Sequence, residues 1–232
     1  MGGILLLDKP PKWTSHDAVD FLRRRLKQKK VGHAGTLDPM ATGLLVMLVG
    51  NATKLSNDLT GLDKDYRGSI RLGTVTDSWD LDGKVLKAVT PSVTREALEA
   101  AVAGLRGTVN ITPPAFSAIK KDGKKFYEMA RQGVLDAPPD REVTVSEFRI
   151  ERWASPEVYF FVTCSKGTYI RSLAHHMGEK LGCGACLSSL IRTRIGNFHL
   201  AQALTVEQIC KMSIEEIVGN GFKPFPTRRE PA

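Results

Sequence analysis

The run LLVMLVG, residues 44–50, contains no polar side chain. A strand that is apolar on both faces has to be covered on both, so this run predicts a central strand. A second run, GILLL at 3–7, reads as another buried strand, bounded by DKPP. With 42% hydrophobic residues, the 232-residue chain has enough apolar material for a sizeable core.

Other segments supply the elements around that core. TSHD at 14–17 has the form of a capping box, and Val19, Leu22 and Leu26 follow at helical spacing, predicting an amphipathic helix of about three turns. DYRGSIRLGT, 65–74, alternates Tyr66, Gly68, Ile70 and Leu72 on one face, as a strand does. TREALEAAVAGL, 94–105, predicts a helix with Leu98, Val102 and Leu105 inward. Strand patterns return at 143–152, 157–164 and 192–200, and GTYIRSLAHHMGEKLG runs from a strand end into a helix. Residues 110–141, with paired prolines near both ends and Lys120, Lys121, Lys124 and Lys125 between, read as an insertion holding a short helix around Tyr127–Arg131. The proline-rich, charged tail after 221 reads as poorly ordered. Strands and helices do not alternate regularly, so the expected class is α+β, a mixed and mainly antiparallel sheet flanked by helices.

Lys and Arg exceed Asp and Glu by 33 to 25, and the net charge of +8 favours a phosphate-bearing partner such as nucleic acid. Arg23, Arg24, Arg25, Lys27, Lys29 and Lys30 cluster on the first predicted helix and just beyond it, as a solvated face or as a phosphate-contact surface. No stretch approaches the ~20 consecutive apolar residues of a spanning helix, and the N-terminus lacks a signal-peptide pattern. A cytoplasmic protein with no membrane partner is expected, a monomer by default. Cys164, Cys183, Cys186 and Cys210 are too few and too clustered for a disulfide framework. CGAC at 183–186, with His175 and His176 upstream, is an incomplete zinc pattern. Asp77, Asp80 and Asp82 in TDSWDLDG lack the spacing and terminal glutamate of a calcium loop. Neither a metal nor a cofactor is expected.

The chemistry centres on GHAGTLDPMATG, residues 32–43, where one carboxylate, Asp38, stands among glycines and small residues. On spacing alone Asp38 either caps the turn after it, as aspartate before proline commonly does, or is a functional acid on a loop that a rigid scaffold positions. His33 reads as a base, a ligand or a hydrogen-bonded loop residue. Arg171 in YIRSLA lies between Ile170 and Leu173, part-buried, and a buried arginine needs a carboxylate partner. Asp38 is one candidate, and such a pair would hold the acid ionised, as a nucleophile requires. Tyr66 and Tyr169 begin apolar stretches, where they are either core residues or rings that stack on a base.

Six blocks then stand in one order: GILLLDKPPKWTSHDAV, GHAGTLDPMATGLL, DKDYRGSIRLGTVTDSWDLDG, PPAFSAIKKDGKKFYEMARQG, GTYIRSLAHHMGEKLGCGA and LIRTRIGNF. Together they span most of residues 3–200, and in this order the chain resembles the bacterial tRNA pseudouridine-55 synthases. The resemblance implies a pseudouridine-synthase-type fold over residues 1–205, with 110–141 as a segment that orders on RNA and 206–232 as a short extension in place of the small C-terminal RNA-binding domain of many members. It implies that uridine 55 in the T-loop of tRNA is isomerised to pseudouridine by base flipping, without cofactor, and that the partner is the T-arm stem-loop.

By the same resemblance Asp38 falls on the catalytic nucleophile and Arg171 on the arginine that pairs with it. Tyr66 falls on the aromatic that stacks on the target uracil, and His33 on the histidine that enters the place the base vacates. Tyr169 and Leu190 match further pocket residues, and Lys9 and Pro10 match a Lys-Pro motif that packs near the pocket. Lys12 stands where glycine is usual, Phe116 where tyrosine is common, and His176 where an acid is frequent. Two other classes are set beside this one: a non-catalytic tRNA-binding or folding protein on the same scaffold, and a metal-dependent nuclease or hydrolase using His175, His176, Cys183 and Cys186.

Overall fold

The computed structural model describes residues 2–117, 119–121, 124–131 and 138–223. Contacts divide the chain into two units, Met1–Asp65 with Ile191–Ala232, and Tyr66–Leu190. The first unit opens with β1 (Gly3–Lys9), α1 (Ser15–Arg25), β2 (Val31–Ala34), β3 (Thr42–Val49), α2 (Ser56–Thr60) and the start of β4 (Lys64–Leu72). The second continues through β5 (Thr74–Thr76), β6 (Val85–Ala88), α3 (Arg95–Ala103), β7 (Gly107–Ile111), β8 (Lys120–Lys121), β9 (Lys124–Lys125), α4 (Phe126–Arg131), β10 (Arg141–Ala154), β11 (Glu157–Cys164), α5 (Ile170–Lys180) and most of β12 (Ala185–Ile195). The chain then returns to the first unit through β13 (Phe198–His199), β14 (Leu204–Thr205), α6 (Val206–Lys211), α7 (Ile214–Glu216) and β15 (Phe222–Lys223).

In the first unit β1 and β3 run antiparallel, with Leu5 opposite Met47 and Lys9 opposite Gly43. The other side of β3 is shared: β2 pairs antiparallel with residues 46–49, and β12 pairs parallel at Thr42 and Gly43. Both faces of the two central strands are buried. Leu5, Leu7, Leu45, Met47 and Val49 pack with Val19, Leu22 and Leu26 of the α1 region and with Ile209 and Ile217, whereas Ile4, Leu6, Leu44, Val46 and Leu48 pack with Leu59 and Ile195. This double cover is the reason the run at 44–50 tolerates no polar residue. Helix α1 starts at the expected capping box, where Thr14 Oγ1 accepts from Asp17 N and the Asp17 carboxylate accepts from Thr14 N.

In the second unit the strands lie in the order β12, β4, β11, β10, β7, and the β11–β10 and β10–β7 pairs are antiparallel. Alternation along β11 buries Val158, Phe160, Val162 and Cys164, and Phe148 meets Phe160 edge to face at 5.7 Å. On the opposite face guanidinium groups lie on aromatic rings, Arg149 over Phe161 at 4.0 Å and Arg152 over Tyr159 at 3.9 Å. The whole is a mixed α/β protein with a mainly antiparallel sheet, as the irregular alternation of elements implied.

Several boundaries differ from the sequence reading. The last long strand occupies 185–195, not 192–200, because Gly196 turns the chain with φ +52° and only Phe198 and His199 pair beyond it. Residues 222–223, read as part of a loose tail, form β15 and pair with Ile4 and Leu5; the rest of that tail lies outside the described residues. The short helix of the 110–141 segment is present as α4, and residues 132–137 lie outside the described set.

Candidate active site

Asp38 sits in the loop between β2 and β3, and five consecutive backbone carbonyls of that loop are engaged. Those of Gly35 and Thr36 accept from Arg192 Nη2 and Nη1 at 2.9 and 3.3 Å, and that of Leu37 accepts from Ser15 Oγ at 3.2 Å. The Asp38 carbonyl accepts from Ala41 N at 3.1 Å, and the Pro39 carbonyl from Lys12 N at 2.8 Å and Lys9 Nζ at 3.4 Å. Ser15 Oγ also accepts from Leu37 N at 2.9 Å. A loop with its backbone groups satisfied in this way holds its side chains in fixed positions.

Two cations build this cage from within the core. Arg192 is 1% exposed and adds a bond from Nε to the Leu44 carbonyl at 2.8 Å, so one planar fork grips three carbonyls. Its strand approaches β3 so closely that a Cβ at Gly43 would lie 2.5 Å from the Arg192 carbonyl, at a backbone φ of +95° that only glycine adopts readily. Lys9 is fully buried, and its Nζ also donates to the carbonyls of Trp13 at 2.6 Å and Pro10 at 3.0 Å. Burial pushes the Lys9 ammonium down to about 8, Arg192 adds to that, and the Asp38 carboxylate opposes it. Burial likewise holds His33 below its ordinary value, with the charges of Arg192 and His16 acting in the same direction. The Nδ1 atom of His33 is buried without a hydrogen-bond partner among the described residues.

The second unit holds a different arrangement. Arg171, in the first turn of α5, is 4% exposed; its Nη1 donates to the Ser78 carbonyl at 3.1 Å, and its Nη2 to the Phe116 carbonyl at 3.1 Å. Its Nε lies 3.7 Å from Asp80 Oδ2. Asp80, itself 5% exposed, accepts on Oδ1 from Ser78 Oγ at 2.5 Å and from Asp82 N at 3.1 Å. A carboxylate for the buried arginine is therefore present in the same unit, in the turn weighed from sequence only as a calcium loop. Tyr66 on β4 and Leu190 on β12 are each 6% exposed, and Tyr169 caps α5 through its backbone.

The sequence-derived residues thus divide evenly. Lys9, Pro10, His33 and Asp38 belong to the first unit, where Lys9 brackets the Asp38 loop; Tyr66, Tyr169, Arg171 and Leu190 belong to the second. Arg192 and Asp80 were missed. No spacing rule connects residue 192 to 35 or residue 80 to 171; only the requirement that buried charge be compensated pointed to such partners.

The residues considered for a metal have other engagements. His175 stacks on Trp79, His176 Nε2 accepts from Thr112 N at 3.3 Å, and Cys183 Sγ contacts the Gly184 carbonyl. Burial pushes the Cys186 thiol up to about 11. Among the described residues, no group of three or more His, Cys, Asp or Glu side chains is placed to hold a metal ion.

Comparison with known proteins gives consistent matches. A model of the TruB family pseudouridylate synthase N-terminal domain matches residues 23–170, and a model of the tRNA pseudouridylate synthase B C-terminal domain matches residues 171–218. The tRNA pseudouridine synthase B of Opitutus terrae is 50% identical over 218 residues, which cover 94% of this chain and 90% of that protein. That of an Azoarcus species is 47% identical over 207 residues, covering 89% of this chain and 69% of the relative. Among solved structures, a chain in the crystal structure of a Cbf5-Nop10-Gar1 complex superposes with a TM-score of 0.72 at 28% identity, over 95% of this chain and 57% of that one. A chain of an H/ACA RNP bound to a substrate RNA containing 2′-deoxyuridine gives 0.69 at 26% identity, over 95% of this chain and 56% of that one.

Proposed function

The chain belongs to the TruB family of pseudouridylate synthases, which are isomerases, and from that premise we propose that it converts uridine 55 in the T-loop of tRNA to pseudouridine with Asp38 as the nucleophile. The reaction breaks the N-glycosidic bond, turns the uracil and rejoins it through C5. It consumes no electron, phosphate or water. One ionised acid is enough for it, whereas a glycoside hydrolase usually needs two carboxylates, one of them a proton donor.

The observation that carries this reading is the loop around Asp38, where every carbonyl from Gly35 to Pro39 is engaged and the buried charge of Lys9 is within electrostatic reach of the acid. Such a loop holds the main chain that bears Asp38 in a fixed position. The resemblance makes Arg171 the partner that keeps the acid ionised, a role suited to a guanidinium already aligned by the Ser78 and Phe116 carbonyls. Because the target base lies in a structured loop, it has to be extruded, at a cost of a few kcal/mol in lost stacking. His33 enters the vacated place, and Tyr66 stacks on the extruded uracil. A histidine held below its ordinary pKa is neutral near pH 7 and offers a flat ring suited to stacking between bases. By the same resemblance Tyr169 and Leu190 are pocket residues that exclude water from the detached uracil, and Lys9 and Pro10 match the Lys-Pro motif that packs near it.

The partner is the T-arm stem-loop, and the enzyme acts as a cytoplasmic monomer. Among the described residues no helix is long and apolar enough to cross a membrane. The test is to incubate an unmodified tRNA transcript with the protein and map pseudouridine by carbodiimide adduct formation and primer extension. A single new stop one nucleotide 3′ of position 55 is expected. Modification at another position, or none, overturns the assignment.

A further inference from the structure

The turn that carries Asp80 is fastened to α5 by two contacts one helical turn apart. Arg171 and His175 stand at positions i and i+4 and so share a face of the helix. Arg171 meets Ser78 and Asp80, and His175 stacks on Trp79 with ring centroids 4.1 Å apart and planes 5° from parallel. Residue 79 is also a backbone outlier. Its φ of +63° lies in the left-handed region that a bulky side chain rarely adopts, whereas glycine adopts it freely. Strain of this kind persists only where surrounding contacts enforce it, and it clusters near functional groups.

The enforcing contacts are visible. The Trp79 carbonyl accepts from Leu187 N at 2.9 Å, and Leu81 N donates to the Leu187 carbonyl at 3.0 Å, so β12 fixes the backbone on one side. The indole lying flat on His175 fixes it on the other. His175 is in turn steadied by Glu179, whose Oε1 lies 3.5 Å from Nε2. Between these anchors, Ser78 turns its carbonyl to Arg171 Nη1 and its hydroxyl to the Asp80 carboxylate.

We propose that Trp79 and His175 are positioning residues for the reaction: their stacked rings hold residue 79 in its left-handed conformation and so aim the Asp80 carboxylate and the Ser78 carbonyl at the guanidinium of Arg171. The inference rests on the reading of Arg171 as the partner of the catalytic acid. A ring that only covered apolar surface would affect stability and leave the rate of the folded enzyme alone.

The test compares four variants of the full chain by steady-state kinetics on a T-arm stem-loop RNA: Trp79→Gly, Trp79→Phe, His175→Ala and His175→Phe. Glycine fits the left-handed backbone and alanine favours a helix, so neither change demands a new conformation. Because small displacements of a positioned group strongly affect rate, kcat is expected to fall about tenfold or more in Trp79→Gly and His175→Ala with KM within about twofold of the parent. The phenylalanine variants keep a ring able to stack and are expected to retain kcat within about threefold. Parental kcat in both Trp79→Gly and His175→Ala would overturn the proposal, as would an effect on KM alone or a loss in the phenylalanine variants equal to that in the small ones. Asp38→Asn serves as the control: if it turns over normally, the reading of the active site fails instead.

Discussion

In the loop of residues 35–41 the grips fall on backbone carbonyls, and the side chain of Asp38 takes its place from a main chain that Arg192, Lys9 and Ser15 have fixed. In the turn of residues 76–82 the grips fall on the side chain of Asp80, which accepts from Ser78 and Asp82 and faces Arg171. The first arrangement fixes the main chain that carries an acid; the second sets an acid beside a buried cation. The two clusters thus differ in what their hydrogen bonds fix, a run of main-chain carbonyls in the one and a carboxylate beside a guanidinium in the other.

The largest effect is expected where the guanidinium fork of the second region is removed. Arg171→Lys keeps the charge but cannot address the Ser78 carbonyl, the Phe116 carbonyl and a carboxylate together, so kcat is expected to fall by about a hundredfold in a folded protein. Unchanged kinetics would remove Arg171 from the mechanism.

Arg192→Lys makes the equivalent change in the first region. Here a buried side chain loses its hold on carbonyls of residues 35, 36 and 44, and buried acceptors left unpaired destabilise the fold by about 2 kcal/mol. Denaturant titration should show that loss, and kcat should drop about tenfold because the Asp38 backbone is freed. A stability loss with parental kcat would mean that the carbonyl cage does not position the acid.

The smallest expected effect is a pH dependence at Lys9. Its pKa is about 8 in the folded chain, against 10.5 ordinarily. Between those values the unfolded chain keeps a proton that the folded chain has released, so Lys9 adds stability as pH rises through that window. The stability difference between the parent and Lys9→Met, measured by urea unfolding at pH 7.5 and pH 9.5, should therefore shift in favour of the parent at the higher pH. A difference independent of pH would show that Lys9 is not buried as a perturbed cation.

Much of the fold was legible because its signals are local. The run at 44–50 announced a strand covered on both faces, and Thr14 with Asp17 announced the start of α1. Helices α6 and α7 went unread although TVEQ and SIEE carry the same capping-box signal, realised by Thr205 with Gln208 and Ser213 with Glu216. Strand β2 was missed because VGHA is four residues long and contains glycine and histidine, and β7 because GTVNI is largely exposed. The start of β12 was obscured by cysteines and serines that suggested a metal motif, yet Cys186 and Leu187 are fully buried. The candidate site was legible in its types of residue but not in its support. Asp38 and Arg171 stood out through the order of the six sequence blocks, whereas Arg192 and Asp80 act across more than 90 residues of chain, a separation over which composition and periodicity carry no information.

On the proposed reading a single acid, Asp38, does the chemistry from a loop whose backbone is clamped. Tritium release from a T-arm stem-loop RNA labelled at C5 of uridine, with no cofactor or metal added, tests it most directly. Release by the parent protein is expected, and none by an Asp38→Asn variant that still binds the RNA. Release by Asp38→Asn at the parental rate would contradict it.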